Sequence, residues 1–153
     1  MKAIIADTSC LIIYEKIKQF EILEKTFEEL FITKEVAEEF GYDLPDWIKI
    51  VEISDKEKYL RLTEHLGRGE ASSIILALEM KECLLIMDEK KGRRIAEELK
   101  VEIIGSLGVL IKAKERGAID SVGTILKLID QTNFRISKSV KAEILKQSGE
   151  TDQ

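Results

Sequence analysis

Histidine, cysteine and proline are nearly absent: the 153 residues hold one His, His65, two Cys, Cys10 and Cys83, and one Pro, Pro45. One imidazole cannot build a histidine-rich zinc site, and two thiols cannot build a four-thiolate one. No cysteine framework of the kind that staples small exported domains is present. Both cysteines lie beside or within apolar segments and are expected as reduced, buried small hydrophobes. His65, in a polar stretch, is expected at the surface. Long apolar runs are missing as well. Before Asp7 the chain offers one lysine and four apolar residues, short of a signal peptide, and no segment reaches the length of a membrane span. These absences predict a cytoplasmic protein with no membrane contact.

What is present is charge. Charged residues make up 35% of the chain and the net charge is -5, which argues against a surface that is wholly a nucleic-acid platform but leaves room for a local basic rim. Hydrophobic residues, at 44%, supply one sizeable core over this length. A single domain over residues 1–149 is expected, with a frayed tail at 150–153.

Short apolar runs at residues 3–6, 30–32, 83–87 and 101–104 read as strands buried on both faces, with 48–53 as an edge strand or extended chain. Between them, residues 10–17, 20–27, 34–40, 55–65, 71–80 and 90–99 read as helices, and 107–114, 122–129 and 138–146 follow as three more. Thr8 or Ser9 is expected to cap the first helix and Thr33 the third, which Gly41 ends. Trp47, after Pro45, is expected to fold back onto the core, and "GRGE", residues 67–70, to form a flexible joint. Strands alternating with helices predict an α/β sandwich of three layers, α/β/α, around a mostly parallel sheet of four or five strands. Leu107, Val109, Leu110 and Ile111 fall on more than one helix face and suit either the remaining core or a twin subunit.

The first and the third of the buried runs end on an acid, Asp7 and Asp88. Open parallel sheets bind ligands at the carboxyl ends of their strands, where both acids would stand. Two carboxylates meeting there repel, and burial adds a desolvation penalty, so a cation between them is the simplest stabiliser. The alternative for each is a helix cap. In "TKEVAEEF", Val36 and Phe40 define the packed side of a helix and Glu39 stands at its border, whereas Glu35 and Glu38 are expected as solvated acids. Glu70 opens the helix after "GRG", where an acid is favoured by the dipole with or without a metal. Glu89 suits an outer ligand. Carboxylates and water as the only donors point to Mg²⁺ or Mn²⁺. Lys90, Lys91, Arg93 and Arg94 crowd the rim beside Asp88; they form either a solvated helix face or a grip on backbone phosphates. Ser9 either caps a helix or touches a phosphate.

Four segments together carry a resemblance. "IIADTS", "ITKEVAEEF", "LGRGEASSIILALE" and "LLIMDEKKGRRIA" resemble, in order, the four acidic motifs of the PIN domain superfamily. Within that superfamily the chain is similar to small prokaryotic single-domain nucleic-acid-binding PIN proteins, close to the toxins of VapBC-type toxin–antitoxin modules. The likeness runs through about Gly149, and "IIGSLGVLIKAKERGAI" resembles the segment that closes the sheet. It implies a metal-dependent endoribonuclease with Asp7, Glu39, Glu70 and Asp88 as catalytic metal ligands, Glu89 beside them, and Ser9, Lys90, Arg93 and Arg94 toward an RNA substrate. It also implies an antitoxin protein as partner, and a homodimer. A departure lies in the fourth motif: toxin relatives carry Thr or Ser two residues before the Asp and another Asp just after it, where this chain has Ile86 and, as a loose match, Glu89.

Other classes fit less well. An aspartyl phosphatase needs a second Asp where Ser9 stands, a receiver domain needs an acidic pair ahead of its accepting Asp, and "GRGEAS" lacks the glycine spacing and preceding strand of a phosphate-binding loop. The alternatives that share the fold are an RNA- or protein-binding module with little catalysis and an RNA-processing nuclease that is not a toxin.

Overall fold

The structure is a computed structural model that describes residues 2–150. Five strands and nine helices occur among them. In chain order these are β1 (Ala3–Ala6), α1 (Thr8–Lys16), α2 (Glu21–Phe27), β2 (Leu30–Thr33), α3 (Lys34–Phe40), β3 (Ile48–Val51), α4 (Lys56–Leu62) and α5 (Arg68–Met80). Then come β4 (Cys83–Ile86), α6 (Lys90–Glu98), β5 (Ile103–Ile104), α7 (Gly108–Glu115), α8 (Val122–Asp130) and α9 (Lys138–Gln147).

The strands form one parallel sheet in the order β3-β2-β1-β4-β5. The chain winds outward from β1 through β2 to β3, then returns to the other side of β1 for β4 and β5. The strand order therefore reverses between β1 and β4, and a crevice opens at their carboxyl ends. Alternating side chains feed two cores, as strand geometry requires. Ile4 and Ala6 face a layer that includes Leu11, Tyr14, Leu23, Val36 and Leu126. Ala3 and Ile5 face the other, with Ile53, Ile74, Ile75, Met87 and Ala96. Helices thus cover both faces, which gives the three-layer α/β/α sandwich and accounts for the near-continuous apolar runs of β1 and β4. No helix among the described residues is long and apolar enough to cross a membrane.

Several expectations hold in detail. Thr33 caps α3 by accepting the Val36 N–H at 3.0 Å, and Gly41 closes that helix in the left-handed conformation at φ 73°. Cys10 and Cys83 are free and buried. Trp47 packs beside Phe20, ring centroids 5.9 Å apart. Val109 and Leu110 lie wholly in the core.

Others need correction. The cap of α1 is Asp7, whose Oδ1 accepts the Thr8 N–H at 2.7 Å, and Thr8 and Ser9 are already helical. "GRGE" is not a joint: Gly67 is the cap residue of α5, and Arg68, Gly69 and Glu70 are its first turn, with Glu70 Oε1 accepting the Gly67 N–H at 3.1 Å. Glu35 is buried, not solvated, and its Oε1 finds no hydrogen-bond partner. The reason is that α3 lies between α1 and α5, so more of its surface is covered than the Val36–Phe40 stripe predicts.

Of the tail, residues 151–153 lie outside the described residues. Glu150 is anchored: its carboxylate accepts the N–H groups of Val122 at 2.7 Å and Gly123 at 3.0 Å at the start of α8, and an ammonium proton of Lys114 at 2.9 Å. Burial opposes its charge, but the Gly123 amide, Lys114 and the Val122 amide outweigh that and hold the carboxyl at about 2. Glu150→Gln is expected to lower stability by about 1–2 kcal/mol, the worth of a helix cap, read as a fall in the thermal midpoint near neutral pH. The contribution of a depressed carboxyl is present above its unfolded pKa and is lost as pH falls toward about 2, so the difference between the two proteins should vanish in acid.

Candidate functional site

Register brings the two strand-end acids together across 81 residues of sequence. Ala6 pairs with Ile86, and the Asp7 N–H continues the ladder to the Ile86 carbonyl at 3.0 Å, which places Asp7 and Asp88 at the same carboxyl edge of adjacent strands. Asp7, Glu39, Glu70, Asp88 and Glu89 all line one cleft of about 520 Å³ at that edge, together with Thr8 and Ser9. This is the crevice at which the strand order reverses.

Each acid is held by a different device. Asp7 is 4% exposed and turned by its capping bond to Thr8. Glu39 is clamped on both oxygens: the Thr8 hydroxyl donates to Oε1 at 2.6 Å and the Gly69 N–H to Oε2 at 3.2 Å, so one carboxylate joins α1, α3 and α5. Gly69 has to be glycine for this contact, because a Cβ there would collide with Glu39 Oε1 and stand 2.8 Å from Thr8 Oγ1. Asp88 receives the Ser106 N–H at 2.7 Å on Oδ1, and on Oδ2 the hydroxyls of Ser106 and, at 3.3 Å, Ser9. Ser106 is itself fixed by the buried Tyr14 hydroxyl, which donates to its carbonyl at 3.0 Å. Glu89 caps α6, accepting the Gly92 N–H at 2.9 Å.

The electrostatics follow from packing acids together. Burial, with the charges of Glu70, Glu39 and Asp88 adding to it, pushes the Asp7 carboxyl up to about 7 against the pull of the Thr8 amide. Burial and the neighbouring Glu89 likewise raise Glu70, opposed by the Gly67 amide. Glu89 moves the other way, lowered first by the Gly92 and Lys91 amides of the α6 terminus.

Of the residues assigned to substrate, Ser9 lines the acidic cleft. Lys90, Arg93 and Arg94 line a separate shallow groove along α6 with Glu97 and Glu98. Arg93 is the one that approaches the acids: a Cβ on Gly105 would stand 3.0 Å from its Nη1 and 3.1 Å from Asp88 Oδ1, so both groups flank that glycine. Thr8, Ser106, Ile12 and Phe134 belong to the site and its supports without having been selected from sequence. For Ser106 a signal existed, since "IIGS" places a hydroxyl just past the carboxyl end of a strand next to the one ending at Asp88.

A family model described as "PIN domain" matches residues 3–150. The chain belongs to the PIN-domain family. No curated protein and no solved structure matches it. The departure in the fourth motif of this PIN domain now has a structural counterpart. Ile86 is a fully buried core residue, and Asp88 receives its hydroxyl hydrogen bonds from Ser106, beyond β5, and from Ser9.

Does the donor set of this PIN domain fit a metal? By chemistry it does: the cleft offers only oxygen ligands, and its most buried carboxyl is destabilised as an anion by the others, a penalty that a divalent cation reverses. By position the set is not gathered. Among the described residues, no group of three or more His, Cys, Asp or Glu stands ready to hold an ion. Glu39 and Glu70 are instead tied to the amides of Gly69 and Gly67.

Proposed function

We propose that this PIN domain is a metal-dependent endoribonuclease of the cytoplasm, hydrolysing RNA phosphodiester bonds at the β1–β4 crevice with Mg²⁺ or Mn²⁺. The observation that carries the reading is the convergence of Asp7, Glu39, Glu70, Asp88 and Glu89 on one cleft at the point of strand reversal. Asp7 and Asp88 would hold the ion from the carboxyl edge of β1 and β4, with Glu39 and Glu70 from α3 and α5 and Glu89 as an outer ligand. When bound, a hard divalent cation supplies Lewis acidity, acidifying water and neutralising charge on phosphoryl oxygens.

The chain's own residues do the rest. Thr8 and the Gly69 amide orient Glu39, and Ser106 with Ser9 orients Asp88. Lys90, Arg93 and Arg94 hold the flanking backbone by charge, without reading bases. No side chain acts as a covalent nucleophile. Ser106→Ala keeps the amide to Asp88 but removes the hydroxyl, and is expected to weaken Mn²⁺ binding about 10- to 100-fold, as loss of a ligand-orienting partner does, in a calorimetric titration.

One observation favours a second reading, an RNA- or protein-binding module with little catalysis: among the described residues no three acids stand ready to hold an ion. Labelled single-stranded and structured RNAs incubated in Mg²⁺ and in Mn²⁺, beside an EDTA control, separate the two. Cleavage abolished by EDTA supports the nuclease, and binding without cleavage in either metal sinks it. The same chemistry serves a toxin held by an antitoxin and a processing enzyme without one; a neighbouring gene for a small DNA-binding antitoxin marks the first. A homodimer is part of the proposal and is read by sedimentation.

A further inference from the structure

The acidic cleft has an apolar side that the hydrolytic reading leaves unused. Among its lining residues the two large hydrophobic side chains are Ile12 and Phe134. Ile12 lies on α1 one turn past Asp7 and is 39% exposed, on a helix whose Cys10, Leu11, Ile13 and Tyr14 are buried. Phe134 comes from the connection between α8 and α9, far from the acids in sequence, and is half-buried against the core beneath.

Its placement is fixed by local chemistry. The Thr132 hydroxyl donates to the Ile129 carbonyl at 2.6 Å and accepts the Phe134 N–H at 3.1 Å, so the end of α8 and the start of the connection are tied into one turn. Exposed Asn133 and Arg135 flank the ring in sequence. An apolar ledge in water beside five carboxylates suits a ligand group that is flat, neutral and apolar on its face. A phosphate does not meet that description, whereas a nucleobase does, and aromatic side chains take up bases by stacking regardless of base identity.

We propose that Phe134, backed by Ile12, is a substrate-binding residue that stacks on a nucleobase of the bound strand beside the acids. The proposal rests on the nuclease reading for its substrate. Stacking requires a base withdrawn from its helix, so the ledge selects unpaired segments, and it places no demand on sequence. The competing account is that Phe134 only packs the α8–α9 connection against the core.

Three variants separate the accounts: Phe134→Leu preserves apolar packing without a π-face, Phe134→Trp preserves both, and Ile12→Ala removes the support. The probe is a single-stranded RNA with one fluorescent purine analogue, bound without divalent metal to protein carrying Asp7→Asn, so that the strand stays intact and the cleft carries one charge fewer. Phe134→Leu is expected to raise the dissociation constant about ten-fold and to abolish the fluorescence change, while Phe134→Trp restores both. In otherwise wild-type protein, Phe134→Leu raises KM by about ten-fold with kcat at saturating RNA changed less than about two-fold, and the thermal midpoint holds. Equal affinity and an unchanged fluorescence response in Phe134→Leu would overturn the proposal, as would absence of RNA binding by the parent protein. If the ledge behaves as expected but the strand is uncut in every metal, the hydrolytic reading fails and the stacking residue stands.

Discussion

At about pH 8 and without divalent metal, Asp7→Asn is expected to be more stable than the wild-type protein; with Mg²⁺ or Mn²⁺ present it should lose RNA cleavage roughly 10²–10³-fold or more, the scale on which removal of one electrostatic catalytic group acts. The stability gain comes from burial of a like-charged group. Asp7 is 4% exposed, faces Glu70, Glu39 and Asp88, and has its carboxyl raised from 3.8 to about 7. A shift of that size corresponds to about 4 kcal/mol of penalty on the folded state once the group is ionised. The sign follows from proton counts. Between the two values the folded protein holds a proton at Asp7 that the unfolded chain has released, so this group's contribution is full below about 4 and is lost as pH rises through about 7. Asparagine carries no charge and can still accept the Thr8 N–H. Thermal unfolding of both proteins across pH should therefore give curves that separate above about pH 5 and meet in acid. Mn²⁺ should close the gap from the other side, stabilising the wild type and leaving the variant nearly unmoved. A variant less stable than wild type at alkaline pH would show that Asp7 is satisfied as an anion within the fold.

Gly69→Ala should fail against intrinsic preference. In a helix interior alanine is favoured over glycine by about 1 kcal/mol, and Gly69, in the first turn of α5, would keep part of that preference. The added methyl, however, enters the space of Glu39 Oε1 and approaches Thr8 Oγ1, so the Thr8–Glu39–Gly69 clamp has to open. A net loss of about 1–3 kcal/mol is expected, as for other overpacked sites, together with a fall in cleavage because Glu39 is displaced. A double-mutant cycle with Glu39→Ala isolates the cause. The cost of Gly69→Ala should shrink markedly in that background, leaving only the closer approach to Thr8. An equal cost with and without Glu39 would mean that the glycine serves the backbone alone.

The strand-end acids were legible because both runs that end on them are apolar at every position, the mark of central parallel strands, and adjacency of β1 and β4 then brings Asp7 and Asp88 to one edge. Helical periodicity selected Glu39 over Glu38 for the same local reason. What escaped notice depends on tertiary packing or on competition between neighbours. Asp7, Thr8 and Ser9 are all good caps, and sequence does not say which one the strand's end leaves in the extended conformation; it is Asp7. "GRG" reads as flexible until its glycine is seen as room for Glu39. Glu35 looked solvated because α3 gives no sign that α1 and α5 both cover it. Ser106 and Phe134 reach the cleft from 18 and 46 residues beyond Asp88, through β5 and the C-terminal helices, a proximity no local pattern encodes.

The central claim is that these acids gather around a divalent ion although no three of them stand ready to hold one in this structure. Electron paramagnetic resonance of Mn²⁺ titrated with the wild-type protein at neutral pH tests it most directly. The spectrum of free Mn²⁺ should disappear on adding the wild type, with protons released as Asp7 ionises, and should persist with Asp7→Asn. A free-ion spectrum unchanged by an excess of folded wild-type protein would contradict the account.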